Sequence, residues 1–210
     1  QPRKDHKIIG SWNGLMISAL AHAGKRLQEP RYVDAASRAA DFILQNMMRG
    51  PTLLRSYRAG EARLPGYLED YACVAAGLLD LYRAAGDVAR LGQAQQLAAT
   101  MLIEFQDEHD GGFFFTGNDH DMRLPRSKNL RGSTNQPDAH GIAAGVLLDL
   151  AELTGDDAHA IAARRALSSL ASRARENPFG SEHTLIAATE FLRERRPDAA
   201  TTKTALSPLP

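Results

Sequence analysis

Residues 67–87 read YLEDYACVAAGLLDLYRAAGD, and this stretch decides the fold class. Its apolar residues recur with the 3.6-residue period of an amphipathic helix: Ala72, Ala75, Leu78, Leu79 and Tyr82. Gly86 ends the pattern, and Asp87 is suited to cap a second helix that runs to about residue 108. A connection this short makes the two helices antiparallel neighbours. The stretch therefore opens a predicted helical hairpin at about 67–108.

The same pattern occurs twice more, which predicts hairpins at about 12–48 and 138–176. A seventh helix is predicted at about 181–195, and residues 1–196 are expected to form one partial domain. The tail 197–210 is rich in Thr, Ala and Pro and is expected to be disordered.

The composition agrees with an all-α fold. Ala and Leu make up 60 of the 210 residues, whereas Val and Ile contribute only 12. The 25 Lys and Arg residues cancel the 25 Asp and Glu residues, so no excess of positive charge favours nucleic acid as a partner.

Membrane insertion and secretion are not expected either. Charged residues interrupt the apolar stretches well before a membrane span is reached, and no signal-peptide pattern opens the sequence. The single cysteine, Cys73, suits a reducing compartment, so a cytoplasmic location is predicted.

Long connections link one hairpin to the next, at about 49–66 and 111–137. Aromatic and aliphatic residues between glycines predict small β-ribbons there, at 53–58 with 61–64 and at 112–116. If the first, third and fifth helices are equivalent, their N-termini lie at the end of the domain that carries these loops. We call this end the rim.

The residues predicted at the rim combine aromatic rings, carboxylates and a histidine: Trp12, Asn13, Tyr67, Glu69, Asp70, Tyr71, Asp138 and His140. Aromatic faces stack on sugar rings, and carboxylates and amides bind hydroxyl groups. This composition therefore favours a carbohydrate ligand, to which Arg58 in the first long loop adds a cation.

Glu69, Asp70 and His140 are the candidates for acid–base catalysis. A carboxylate can act as general acid or base on a sugar, and histidine can move a proton beside a carbonyl group. The alternative is structural, because acidic residues in a first turn also complement the helix dipole.

The remaining candidates would bind substrate: Trp12, Asn13, Tyr67, Tyr71, Arg58 and Asp138. Trp12 has an alternative role in the core, and Asn13 as an N-cap. The histidines show no metal-ligand spacing and no phosphate-binding glycine loop is present, so neither a metal nor a cofactor is expected.

Four motifs resemble the C-terminal part of the spermatogenesis-associated thioredoxin-domain family: KIIGSWNGLMI at 7–17, LEDYA at 68–72, GLLDLY at 77–82 and GGFFFT at 111–116. This resemblance implies an (α/α)6 toroid of the six-hairpin glycosidase type, related in fold to N-acylglucosamine and cellobiose 2-epimerases.

The chain departs from the family pattern at the third corner of the rim, where it reads QPDAHG at 136–141 instead of a Pro-Ser-Gly-Asn stretch. It also lacks the family's thioredoxin-like part, and Cys73 has no CxxC partner, so redox chemistry is not expected of these residues.

Two functions remain open at this point. The first is a carbohydrate-active domain that is glycosidase-like or 2-epimerase-like. The second is a non-catalytic helical scaffold that binds a protein or peptide. Whether the chain is an enzyme stays undecided between them.

The length predicts an incomplete ring. One hairpin unit takes about 57 residues from Pro30 to Asp87, so six units would need roughly 340. The chain therefore corresponds to about half of a toroid. It is expected to be joined to a missing N-terminal part of a longer chain or to a second copy in a homodimer.

Overall fold

The computed structural model describes residues 5–118, 126–128 and 137–194. Seven α-helices lie in this part of the chain: α1 (Gly10–Leu27), α2 (Pro30–Asn46), α3 (Leu68–Ala85), α4 (Val88–Phe105), α5 (Ala139–Thr154), α6 (Asp157–Glu176) and α7 (Glu182–Glu194). The short strands are β1 (Ile8–Ile9), β2 (Met48–Arg49), β3 (Thr52–Arg58) and β4 (Glu61–Pro65). The predicted fold class, antiparallel helical hairpins with small β-ribbons, is confirmed. The predicted tail at 197–210 lies outside the described residues.

The turns inside the hairpins form as their residue types dictate. Gly86 and Gly155 end α3 and α5 in the left-handed conformation, with φ of 73° and 70°. Asp87 and Asp156 then cap the next helices, because each carboxylate accepts a hydrogen bond from a backbone N–H two residues later, at 3.0 and 2.9 Å.

The helices form two layers. The inner layer contains α1, α3, α5 and α7, and each of these helices packs on the next in that order. The outer layer contains α2, α4 and α6, each packed on the inner helix that precedes it in its hairpin. The N-termini of α1, α3 and α5 consequently lie at one end.

The tightest helix packing lies between α1 and α3, where glycines let the two backbones approach. A Cβ atom on Gly14 would lie 2.4 Å from the carbonyl carbon of Cys73. A Cβ atom on Gly77 would lie 2.7 Å from the carbonyl oxygen of Gly14. Neither position has room for a side chain, so these glycines set the distance between the two helices.

Strand β3 is the centre of the ribbon and pairs antiparallel with β1, β2 and β4. The ribbon predicted at 53–58 and 61–64 is therefore confirmed. The second predicted ribbon is wrong, since residues 112–116 form no strand. Gly111, with φ of 79°, turns the chain back, and Phe113 makes only a single antiparallel bridge to Gln106.

The first and last helices of the inner layer, α1 and α7, expose apolar side chains. On α1, Trp12 and Met16 are 58% and 57% exposed, and on α7 Ile186 and Leu192 are also exposed. Among the residues that the structure describes, no helix combines the length and apolar character that a membrane span requires.

Candidate functional site

Asp70 joins the first turns of α1 and α3. Its side chain is completely buried. Oδ1 accepts a hydrogen bond from the backbone N–H of Ser11 at 2.9 Å, and Oδ2 accepts one from the backbone N–H of Tyr67 at 3.0 Å. The second contact satisfies a free N–H group at the start of α3. Asp70 therefore joins two of the helix N-termini that form the rim, those of α1 and α3.

Arg55 of β3 brings a cation to the acidic pair. Its Nη1 atom lies 2.7 Å from Oε1 of Glu69 and 3.0 Å from Oδ2 of Asp70. The guanidinium carbon lies 4.5 Å from the centre of the Tyr67 ring, which is cation–π geometry. Two carboxylates, one guanidinium group and one aromatic ring thus meet at the start of α3.

The electrostatics of this group are set by burial and by opposite charges. Burial raises the pKa of Asp70, and Arg55 together with the two backbone N–H groups opposes that rise. Burial also disfavours the Arg55 cation, but Asp70 and Glu69 outweigh it and raise the pKa of the guanidinium group. Arg55 therefore stays charged and neutralises part of the acidic pair.

An aromatic wall stands beside the acidic pair. The rings of Tyr67 and Phe115 stack with their centres 5.0 Å apart, and the backbone N–H of Leu68 donates to the carbonyl of Phe115 at 3.0 Å. Trp12 follows Ser11 in the first turn of α1 and is largely exposed. Tyr67 and Phe115 thus form a pair of rings at the start of α3, and Trp12 adds an exposed ring at the start of α1.

Tyr71 lies in the core instead of on the rim surface where the sequence placed it. Its side chain is only 2% exposed, and its hydroxyl accepts a hydrogen bond from the backbone N–H of Leu53 at 2.8 Å. The ring packs against Phe105. Tyr71 therefore joins α3 to β3 and offers no free ring face to a ligand.

His140 lies in the first turn of α5 and contacts the connection between α4 and α5. It is buried, and its Nε2 atom lies 2.6 Å from the carbonyl oxygen of Lys128. The neighbouring carbonyl of Ser127 accepts from the backbone N–H of Phe115 at 2.8 Å. The start of α5 is thereby connected to the aromatic wall beside Tyr67.

Asp138 is occupied by contacts within the protein. It caps α5 by accepting from the backbone N–H of His140 at 3.2 Å. It also accepts from Oγ1 of Thr184 on α7 at 2.6 Å and lies 3.4 Å from Nη1 of Arg173 on α6. These bonds make it a junction of three helices.

The last two predicted substrate-binding residues lie near the ribbon. Arg58 is exposed at the end of β3. Asn13 donates from Nδ2 to the carbonyl of Ile9 at 2.8 Å. Because α1 begins at Gly10 with Ile9 as its N-cap, the alternative role of Asn13 as the N-cap is wrong.

A second polar cluster, between α1 and α3, was not among the predicted site residues. Asp80 accepts from Oγ of Ser18 at 2.5 Å and lies 3.2 Å from Nε2 of His22, which connects α3 to α1. Burial raises the pKa of Asp80. The cluster lines an open groove of about 280 Å³ that also contacts α5 and α7. Its sequence signal was Asp80, the one charged residue in the apolar stretch 72–81 of α3.

No group of three His, Cys, Asp or Glu side chains suited to a metal ion occurs within residues 5–118, 126–128 and 137–194.

We expect the buried His140 to make the protein less stable as the pH falls. Burial lowers the pKa of His140, whereas in the unfolded chain it is about 6.5. Below that pH the unfolded chain binds a proton that the folded protein does not, so the free energy of unfolding falls by up to about 1.4 kcal/mol per pH unit.

Urea unfolding at pH 7.5, 6.5 and 5.5, carried out in parallel on wild type and His140→Gln, measures this effect. The wild type should lose more stability than the variant over this interval. Carboxylates such as Asp107, whose pKa is lowered by Lys128, titrate in both proteins and cancel in the comparison. Identical pH dependence in the two proteins would show that His140 is not buried in its neutral form.

The chain is similar to known proteins over most of its length. No family model matches it. Spermatogenesis-associated protein 20 of Homo sapiens is 34% identical over 165 residues, which cover 74% of this chain and 21% of that protein. The Rattus norvegicus protein is 35% identical over 161 residues, covering 72% and 20%. The chain thus spans about one fifth of these relatives.

Solved structures with the same fold act on sugars. A GH76 α-mannanase of Bacteroides thetaiotaomicron superposes with a TM-score of 0.65 at 17% identity, covering 81% of this chain and 46% of that one. An inactive α-1,6-mannanase variant of Salegentibacter, solved with α-1,6-mannotetrose, gives a TM-score of 0.63 at 14% identity and coverages of 78% and 47%. Cellobiose 2-epimerase of Bacillus thermoamylovorans gives 0.63 at 15% identity, with coverages of 80% and 45%.

These coverages agree with the three helical hairpins and the seventh helix of the two layers, since a full toroid of this type has six hairpins. The chain accounts for a little less than half of each toroid enzyme, as the hairpin arithmetic predicted. The chain is a homologue of part of spermatogenesis-associated protein 20, with about half of a helical toroid of the six-hairpin glycosidase type.

Proposed function

We propose that the rim binds a carbohydrate and that the complete protein transforms it, by glycosidase-like or 2-epimerase-like chemistry. The observation that carries this proposal is the acidic pair Glu69 and Asp70, held by Arg55 beside the stacked rings of Tyr67 and Phe115. The sugar-acting enzymes that share the fold support the substrate class.

The two carboxylates have different roles in this proposal. Asp70 is completely buried and accepts from Ser11, Tyr67 and Arg55, so it positions the site. Glu69 is assigned to proton transfer as general acid or base. In the inactive Salegentibacter mannanase variant, two neighbouring aspartates are replaced by alanine. The inactivity of that double variant supports a role for an adjacent carboxylate pair in this fold.

The aromatic residues and cations would orient the sugar. A pyranose ring can stack on Trp12, while Arg55 and Arg58 donate to its hydroxyl groups. The Tyr67 ring already contacts Phe115 and Arg55, so it would support the bound sugar from the side. In a 2-epimerase-like reaction a base removes the proton beside the carbonyl and an acid returns it on the other face. His140 is the second group that we assign to such a proton transfer.

Replacing Glu69 by glutamine should lower turnover of the sugar by about 100- to 10,000-fold, the usual contribution of one acid–base group. Folding should be retained, because the glutamine oxygen still accepts from Arg55. The substrate is found first by isothermal titration of the full-length protein against mono- and disaccharides and their anionic derivatives. Turnover of any sugar that binds is then measured in both proteins.

Glu61→Gln is the matched control, since Glu61 is an exposed carboxylate of β4 that pairs with Arg63. Full activity of Glu69→Gln would show that Glu69 does not act as the general acid or base. Absence of binding by every sugar tested would contradict the proposal as a whole. That second result would favour the alternative, a non-catalytic helical scaffold whose rim binds a protein or peptide.

We also propose that further inner-layer helices, supplied by the remainder of a longer polypeptide, cover the exposed edge of α1. This chain covers only 45–47% of each toroid enzyme chain on which it superposes, so more than half of each of those chains has no counterpart here. Trp12 is the single tryptophan and lies on this edge. Acrylamide should quench the Trp12 fluorescence, taken as the difference between the wild type and Trp12→Phe, strongly in the isolated chain and weakly in the full-length protein. Weak quenching with a dimeric mass in the isolated chain would instead indicate a second copy.

A further inference from the structure

Lys128 makes contacts in two directions from the short described segment 126–128. Its ammonium group lies between two carboxylates, 2.8 Å from Oδ2 of Asp107 and in contact with Oδ2 of Asp110. Its carbonyl oxygen lies 2.6 Å from Nε2 of His140. A single residue therefore connects the turn after α4 to the first turn of α5.

The turn that receives the ammonium group is held by its own hydrogen bonds. Oδ1 of Asp107 accepts from the backbone N–H of His109 at 2.9 Å, and Oδ1 of Asp110 accepts from the backbone N–H of Gly112 at 2.8 Å. Each carboxylate thus keeps its second oxygen for Lys128. The ammonium group also lies 5.7 Å from the centre of the Phe114 ring. The turn is a fixed anchor for a cation.

The carbonyl contact determines where the proton of His140 lies. A neutral imidazole carries hydrogen on one nitrogen only, and a carbonyl oxygen can only accept. Nε2 must therefore carry the hydrogen and donate to Lys128, which leaves the lone pair on Nδ1. The charged groups facing His140 are Asp138 at its own helix start, Arg173 on α6 and Lys128 itself.

We propose that Lys128 is a positioning residue for His140: the anchored ammonium group holds the Lys128 carbonyl against Nε2, and this fixes the imidazole in the Nε2–H form. The inference deepens the proposed function, on which it rests for the catalytic use of His140. Any base role of His140 at the rim then uses Nδ1. The form of the ring itself is measurable without any substrate.

Long-range ¹H–¹⁵N NMR of the histidine rings at pH 7.5 tests the proposal in the full chain. Wild-type His140 should show the Nε2–H form. In Lys128→Met, which keeps the apolar stem and removes the charge, the ratio of the Nε2–H to the Nδ1–H form should fall roughly three- to tenfold, the range for loss of one buried hydrogen bond. Lys128→Arg should restore the wild-type ratio.

Lys25→Met is the control, because Lys25 also donates to a carbonyl, that of Arg83, on the exposed surface. It should leave the His140 signals unchanged. Asp107→Asn provides a second test if Lys128→Met does not fold, since it weakens the anchor while keeping the lysine. It should move the ratio in the same direction by a smaller factor.

An Nδ1–H form in the wild type, or an unchanged ratio in folded Lys128→Met, would overturn the proposal. The result is independent of sugar chemistry. A shifted ratio in a protein that binds no sugar would support the role of Lys128 and refute the proposed function. An unchanged ratio in a protein that transforms a sugar would refute the role of Lys128 and support the proposed function.

Discussion

Replacing Asp70 by alanine is expected to lower the free energy of unfolding by about 3–5 kcal/mol, the usual cost of removing one partner from a buried ion pair. The substitution removes the acceptor of two backbone N–H groups, those of Ser11 and Tyr67, and one of the partners of Arg55. All of these contacts are at least partly buried, so water replaces them poorly. Urea unfolding monitored by circular dichroism measures the loss.

Asp157→Ala is the matched control for Asp70→Ala. Asp157 also lies in the first turn of a helix, α6, but its side chain is exposed. Its loss removes only a favourable interaction with the helix dipole, which is worth about 0.3–1 kcal/mol. If the two variants lose equal stability, Asp70 serves only the helix dipole and does not join α1 to α3.

Replacing Gly14 by alanine is expected to cost about 3 kcal/mol, the upper part of the range for overpacking a core. The added methyl group would lie 2.4 Å from the carbonyl carbon of Cys73 and 2.6 Å from the nitrogen of Val74. These are backbone atoms, so no change of rotamer relieves the overlap. Helices α1 and α3 must move apart, and with them Ser11 moves away from Asp70.

Gly92→Ala tests whether the effect of Gly14→Ala comes from packing. Gly92 lies in α4, is exposed, and has open space where a Cβ atom would be placed. Alanine there should stabilise the helix by about 0.8–1.0 kcal/mol. If Gly14→Ala stabilises the protein as Gly92→Ala does, Gly14 does not set the distance between α1 and α3.

Local sequence signals predicted the helical framework. The Gly86-Asp87 and Gly155-Asp156 turns act through atoms within a few residues of each other, and the structure shows the expected caps. The 53–64 ribbon is likewise encoded by neighbouring residues. Such features can be predicted because they depend little on the rest of the fold.

The site could be predicted only in part, because its contacts join residues distant in sequence. The acidic pair and the convergence of helix N-termini followed from the hairpin repeat. The pairing of Arg55 with Glu69 and Asp70 needs β3 to lie against α3. The inward position of Tyr71 depends on the same packing.

The contact of His140 with the Lys128 carbonyl, at the N-terminus of α5, could not be predicted for the same reason. It requires a loop segment to be held against α5 by the turn after α4. No spacing of residue types in the sequence expresses such a contact. The sequence therefore indicated which residues lie at one end of the domain. It could not indicate which of them form contacts within the protein, as Tyr71 and Asp138 do.

The most direct test of the carbohydrate proposal is a crystal of the full-length protein soaked with a sugar selected by isothermal titration. We predict density for one sugar ring at the rim, stacked on Trp12, with a hydroxyl group or glycosidic oxygen within hydrogen-bond distance of Glu69. Density for the sugar only at a site away from Glu69, or an unoccupied rim at a concentration that saturates binding in solution, would contradict the account.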